Sequence, residues 1–255
     1  MNLRKHVFSF VTIALMLVTF GCATSKINPK EQAKGEIYLA AGNDALFKGQ
    51  YTQALSALLE AVKYLPKNME AWNSLGLAYL GKEQPEKAEE VWQNAISIDS
   101  KSTSVRNSLS ALYIQQNRLL DAEKILKVAA KDLIYDRNYL VHYNLGLVYL
   151  RQKKQLLAEQ ELKISVRENE TYCAAWYQLG MLQKDRGIFG EAAISLKNAL
   201  KGTCFNNPEL HYEVADLYLK DRNRGMAKSK MLEVIELFPH SDWAKKAEIS
   251  LNKMR

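Results

Sequence analysis

Three cysteines and four histidines are the residues of this chain best suited to covalent, metal or acid–base chemistry. Cys22 lies in the stretch VTFGCATSK and follows Val7 to Phe20, fourteen residues without a formal charge, themselves preceded by Arg4, Lys5 and His6. As a helix that run rises about 21 Å, short of a hydrocarbon core of roughly 30 Å, so it is a poor spanning anchor and reads as an export leader over residues 1–21. The small Gly21 before the cysteine suits cleavage there. Cys173 and Cys204 are the pair left over, and an exported chain favours a disulfide between them; two buried thiols are the alternative. Two cysteines without a neighbouring His pair make no metal-ligand set. His6 leaves with the leader, and His240 follows Pro239 in a turn. The sequence holds no Gly-rich phosphate loop, no H-E-x-x-H and no G-x-S-x-G. Without a convergent acid, base or nucleophile, an enzyme is disfavoured and no cofactor is expected.

The elements that must position these residues come from a repeat. The chain has 255 residues, 25% of them charged and 47% hydrophobic, enough for a packed core. Its formal charge of +7 falls to +5 without Arg4 and Lys5, and the basic residues are scattered rather than set in a stripe. No nucleic-acid partner is therefore expected. After a polar linker over residues 22–34, the segment from Met69, MEAWNSLGLAYLGKEQPEKAEEVWQNAISIDS, carries Trp72, Leu75, Gly76, Tyr79, Ala88, Trp92 and Ala95 at positions 4, 7, 8, 11, 20, 24 and 27. This is the tetratricopeptide pattern. Five further units fall into phase, with Gly42, Gly76, Ser110, Gly146, Gly180 and Ala215 at position 8, spaced by 34, 34, 36, 34 and 35 residues.

Small residues at positions 8, 20 and 27 let two antiparallel helices approach, and large residues at 4, 7, 11 and 24 fill the space around that contact. One helix pair cannot bury both of its faces, so such units stack. The expected fold is all-α: a right-handed superhelical solenoid of six helix pairs (35–68, 69–102, 103–136, 139–172, 173–206 and 208–241) with a capping helix over 242–255. His142 and His211 occupy position 4, where Trp72 and Trp176 stand in other repeats, so they read as core-filling residues. Cys173 starts the first helix of repeat five and Cys204 ends the second, which places them side by side. A bridge there, closing about 30 residues, would stabilise by roughly 3–4 kcal/mol in the chain-entropy picture.

Function is sought in the groove. In tetratricopeptide proteins positions 2, 5, 9, 12 and 13 tend to face it. Position 5 reads Leu39, Asn73, Asn107, Tyr143, Tyr177 and Tyr212, which divides the groove into an amide-bearing N-terminal half and a tyrosine-bearing C-terminal half. Asn amides can hydrogen-bond the backbone of an extended segment, and tyrosines offer rigid amphipathic contact area. The tyrosines serve equally well as packing between neighbouring first helices. Leu39, Asn43, Leu46 and Phe47 of repeat one, with Leu77 and Leu80 of repeat two, are further candidates for a partner-binding patch.

Two resemblances add to this. VTFGC is similar to the lipobox of bacterial lipoproteins, in which a small residue precedes a cysteine that is lipidated and becomes the new N-terminus. Thr19 and Phe20 depart from the usual pattern, whereas Gly21 and Cys22 fit it. The residue after the cysteine is Ala23 rather than Asp, which by the enterobacterial sorting rule implies an outer-membrane, periplasm-facing lipoprotein. The leader, six repeats and cap helix together resemble the type IV pilus biogenesis and stability lipoproteins of the PilF/PilW type. Tyr135, Arg137, Asn144, Leu145 and Gly146 match that family's pattern between repeats three and four, although its usual Pro near the Tyr is missing. The pair Cys173 and Cys204 also resembles a disulfide found in some members. The resemblance implies a pilotin, which helps the pilus secretin subunit reach the outer membrane and assemble. The alternative is a periplasmic lipoprotein adaptor for peptidoglycan hydrolases or for outer-membrane assembly machinery.

Overall fold

A computed structural model describes residues 28–254, and Cys22 and the leader lie outside them. The described residues form thirteen helices in antiparallel pairs: α1 (Pro29–Phe47) with α2 (Tyr51–Tyr64), α3 (Met69–Gly81) with α4 (Pro85–Ile98), α5 (Thr103–Gln115) with α6 (Leu119–Ala129), α7 (Asn138–Arg151) with α8 (Gln155–Glu168), α9 (Cys173–Asp185) with α10 (Phe189–Ala199), and α11 (Pro208–Lys220) with α12 (Arg224–Leu237). A final helix, α13 (Asp242–Lys253), closes the stack. The fold is a tetratricopeptide solenoid.

Helix α1 starts earlier than the repeat phase predicts, so residues 29–34, read as linker, are helical. The Asn28 side chain accepts from the Lys30 amide, and Pro29 stands at the first helical position, where its missing N–H costs nothing. Ser241 caps α13 in the same way through the Ala244 amide.

Each pair is closed by one device. A residue with positive φ follows each first helix: Gly49, Glu83, Asn117, Lys153, Gly187 and Arg222, with φ between 57° and 75°. The next amide then reaches back to the helix, as Gln50 N–H does to the Ala45 carbonyl (2.8 Å) and Lys154 N–H to that of Tyr149 (2.8 Å). This is the Schellman geometry, which satisfies carbonyls that would otherwise be orphaned.

Within each pair, position 8 meets position 24. A Cβ on Gly42 would lie 2.5 Å from Leu58 Cγ, so only a hydrogen fits there. At Gly76 the indole of Trp92, fully buried, takes that space. Between pairs, positions 3 and 10 of each first helix press on the preceding repeat. Ala71, Ala78, Val105, Leu112, Val141, Val148, Ala175, Leu182, Leu210 and Leu217 are all 3% exposed or less. The two position-4 histidines sit in this core, each holding at least one hydrogen bond, while His211 Nδ1 is buried without a hydrogen-bond partner. His142 Nδ1 donates to Glu161 Oε2 (2.7 Å), and His211 Nε2 donates to the Phe205 carbonyl (2.9 Å). Cys173 and Cys204 are bonded, with Cα atoms 6.0 Å apart, tying the start of α9 to the α10–α11 connection. Among the described residues no helix is long and apolar enough to cross a membrane.

Candidate functional site: the N-terminal groove

The concave surface of repeats one to three encloses an open cavity of about 590 Å³. Its floor is the exposed face of α3 and α5, where Glu70, Asn73, Ser74 and Leu77 stand beside Ser104, Asn107 and Ser108. Asn43 and Leu46 of α1 form one wall. The other comes from Tyr135, Asp136 and Arg137 on the α6–α7 connection, with Leu140. That connection is where the repeat spacing lengthens to 36 residues, so the extra length reaches the groove. Sequence reasoning tied Tyr135 and Arg137 to a family pattern without assigning them to the groove.

The polar atoms are arranged unequally. Asn43 Nδ2 donates to Glu70 Oε1 (2.9 Å), fixing one edge. Asn107 Oδ1 accepts from Asn144 Nδ2 (2.9 Å), which leaves the Asn107 amide nitrogen as a donor. Asn73 Oδ1 is buried and has no hydrogen-bond partner. Its backbone carbonyl accepts from Trp92 Nε1 (3.3 Å), so the core holds the residue while its side-chain acceptor stays unused. A buried acceptor without a partner is costly. Leu77, 40% exposed, offers apolar surface beside it. Burial pushes the Tyr135 hydroxyl pKa above its ordinary value, the main cause being desolvation.

Not all sequence-predicted groove residues come together here. Leu39 is buried with Ala71 and Leu75 in the core between the first repeats. Leu80 packs from behind against the core of repeats two and three, and Phe47 stands out in solvent at the end of α1, outside the cavity. The C-terminal tyrosines part company as well. Tyr143 packs edge-on to Tyr172 (ring centroids 5.2 Å), joining α7 to the start of α9. Tyr212 hydrogen-bonds Ser250 (3.1 Å) and lies 5.5 Å from the Trp243 ring, joining α11 to the cap. Tyr177 alone of the three opens onto a cavity, a small one of about 190 Å³ shared with Met181, Lys184 and Glu213. Lys184 and Glu213 are paired there at 2.7 Å. Among the described residues no group of three or more His, Cys, Asp or Glu is placed to hold a metal.

The stacked helix pairs with an open concave face form a solenoid of the tetratricopeptide type, and a family model of the tetratricopeptide repeat matches residues 39–103. The chain is similar to the type IV pilus assembly protein PilF of Pseudomonas aeruginosa, at 30% identity over 134 residues, half of this chain. The match spans 53% of that protein's length. The solved structure of Pseudomonas aeruginosa PilF superposes with a TM-score of 0.72 at 23% identity, covering 87% of this chain and 99% of that one. That of PilW, a type IV pilus biogenesis factor, gives 0.67 at 21% identity, covering 86% and 98%. The tetratricopeptide protein Cut9, in its complex with Hcn1, gives 0.63 at 19% identity over 86% of this chain and 43% of that one, so the architecture is shared beyond pili.

Proposed function

We propose that this chain is a non-enzymatic, lipid-anchored scaffold that acts as a pilotin for the type IV pilus secretin. In this reading Cys22 carries the acyl chains that hold the protein at the outer membrane, facing the periplasm. The groove of repeats one to three receives an extended segment of the secretin subunit. The observation that supports the reading is the open cavity of about 590 Å³ lined by Asn73, by Asn107 with its free amide nitrogen and by exposed Leu77. Side-chain amides and apolar surface in one groove suit the N–H and C=O groups of an extended backbone. The kinship with PilF supports the choice of pathway. One acyl chain holds a protein only marginally and stable anchoring takes more, which lipoproteins of this kind supply with three.

Deletion of the gene, followed by electrophoresis of unheated and heated membrane fractions, tests the proposal. Loss of heat-resistant secretin multimers is the expected result. Intact multimers, with a cell-wall defect instead, would point to the adaptor role.

A further inference from the structure

The α6–α7 connection, residues 130–137, holds two aliphatic side chains almost wholly in water: Leu133 is 90% exposed and Ile134 94%. Both flanks of this tip are tied down. Asp132 Oδ2 accepts from Thr103 Oγ1 (2.6 Å), and Asp132 Oδ1 accepts from the Ile134 amide (3.2 Å). On the other side Tyr135 packs against the apolar core, and its carbonyl accepts from the Asn138 amide (3.1 Å). A slack loop would fold such side chains inward; here the backbone is pinned on either side of them and they project.

The tip lies on a defined edge of the solenoid. Every first helix begins, and every second helix ends, on the side of the connections between repeats. The Thr103–Asp132 bond shows this for repeat three, and the Lys34–Tyr64 bond (2.8 Å) shows it for repeat one. The chain therefore enters α1 at the edge that carries Leu133 and Ile134. Cys22 is six residues before Asn28, so an anchor there sits within about 21 Å of the helix start even when fully extended.

We propose that Leu133 and Ile134 are a membrane-contact tip, which sinks into the lipid surface and orients the solenoid once Cys22 has tethered it. The inference rests on the anchoring part of the function proposed above. Two side chains present far less area than the roughly 800 Å² per partner of a stable protein interface. A bilayer demands no complementary shape, only apolar groups free to enter it. The charges nearby are disposed to allow this. Asp132 is turned inward to its two bonds, Asp136 and Arg137 line the groove, and exposed Lys131 suits an anionic headgroup.

The test uses the full chain in cells, with p-benzoylphenylalanine replacing Ile134 or, as control, Leu120. Leu120 is 77% exposed but stands at the opposite end of α6. Irradiation followed by mass spectrometry is expected to yield phospholipid adducts at position 134 and none at 120. Adducts to a protein at 134, equal lipid labelling at both positions, or no adduct at 134 would each overturn the tip. Fractionation of the same cells reads the anchor separately. Membrane-bound protein without lipid adducts at 134 defeats the tip alone, and protein found in the soluble fraction defeats the anchor.

Discussion

In repeats one to three, position 5 carries Leu39, Asn73 and Asn107; in repeats four to six it carries Tyr143, Tyr177 and Tyr212. The short amides line an open cavity of about 590 Å³. The tyrosines mostly spend their area on neighbouring helices, and what remains open beside Tyr177 is about 190 Å³. The same backbone position thus borders an open cavity at Asn73 and Asn107 and packs between helices at Leu39, Tyr143 and Tyr212. Burial pushes the hydroxyl pKa of Tyr143 up and that of Tyr172 up to about 12, as befits rings used for packing.

That contrast can be broken at several points. The largest effect belongs to the covalent tie of the C-terminal half. Cys204→Ser should lower unfolding free energy by about 3–4 kcal/mol, for a bridge spanning 31 residues, while partner binding by the N-terminal groove stays intact at temperatures where the protein is folded. Denaturant melts with and without reductant read this directly. Next come the tyrosines. Tyr143→Ala should cost about 2 kcal/mol of stability, because it empties a packed junction. Tyr177→Ala should stay within about 0.5 kcal/mol. Equal costs would erase the distinction drawn between them.

Asn73→Ala reverses the pattern. No intramolecular bond is lost with Oδ1, so stability should hold within about 0.5 kcal/mol. Affinity for the secretin segment, followed by titration calorimetry, should fall about tenfold, the worth of roughly 1.4 kcal/mol. The smallest effect lies at the join of the halves. Glu123 pairs with Lys127 (2.6 Å), accepts from Gln152 (2.9 Å) across the repeat junction and lies 3.4 Å from Lys154. The bond from Lys127, with smaller help from Gln152 and Lys154, holds its carboxyl pKa down to about 2 from an ordinary 4.5. A pKa depressed on folding adds stability that is complete above the unfolded value and disappears as pH falls from about 4.5 towards 2. Melting temperature should drop across that window, and Glu123→Gln should flatten the drop.

The repeat phase, the small-to-large packing of position 8 on position 24 and the core placement of His142 and His211 were legible because each is a residue type recurring at fixed spacing. Three features were not. Glu83, Lys153 and Arg222 take a left-handed conformation that their side chains disfavour, and only the closure of the helix pair imposes it. Leu39 holds a groove position by register, yet its apolar side chain turns into the space beside Leu75, where Asn would not go unpaired. The groove wall of Tyr135 and Arg137 depends on where a two-residue lengthening of one connection folds, which no local pattern encodes.

We propose that the N-terminal groove, and not the C-terminal concave face, recognises the secretin. The most direct measurement compares heat-resistant secretin multimers in cells carrying Asn73→Ala with Leu77→Glu, or Tyr177→Ala, each checked for normal abundance. The groove pair is expected to lose the multimers and Tyr177→Ala to keep them. Multimers that survive the groove pair, or vanish with Tyr177→Ala alone, would contradict it.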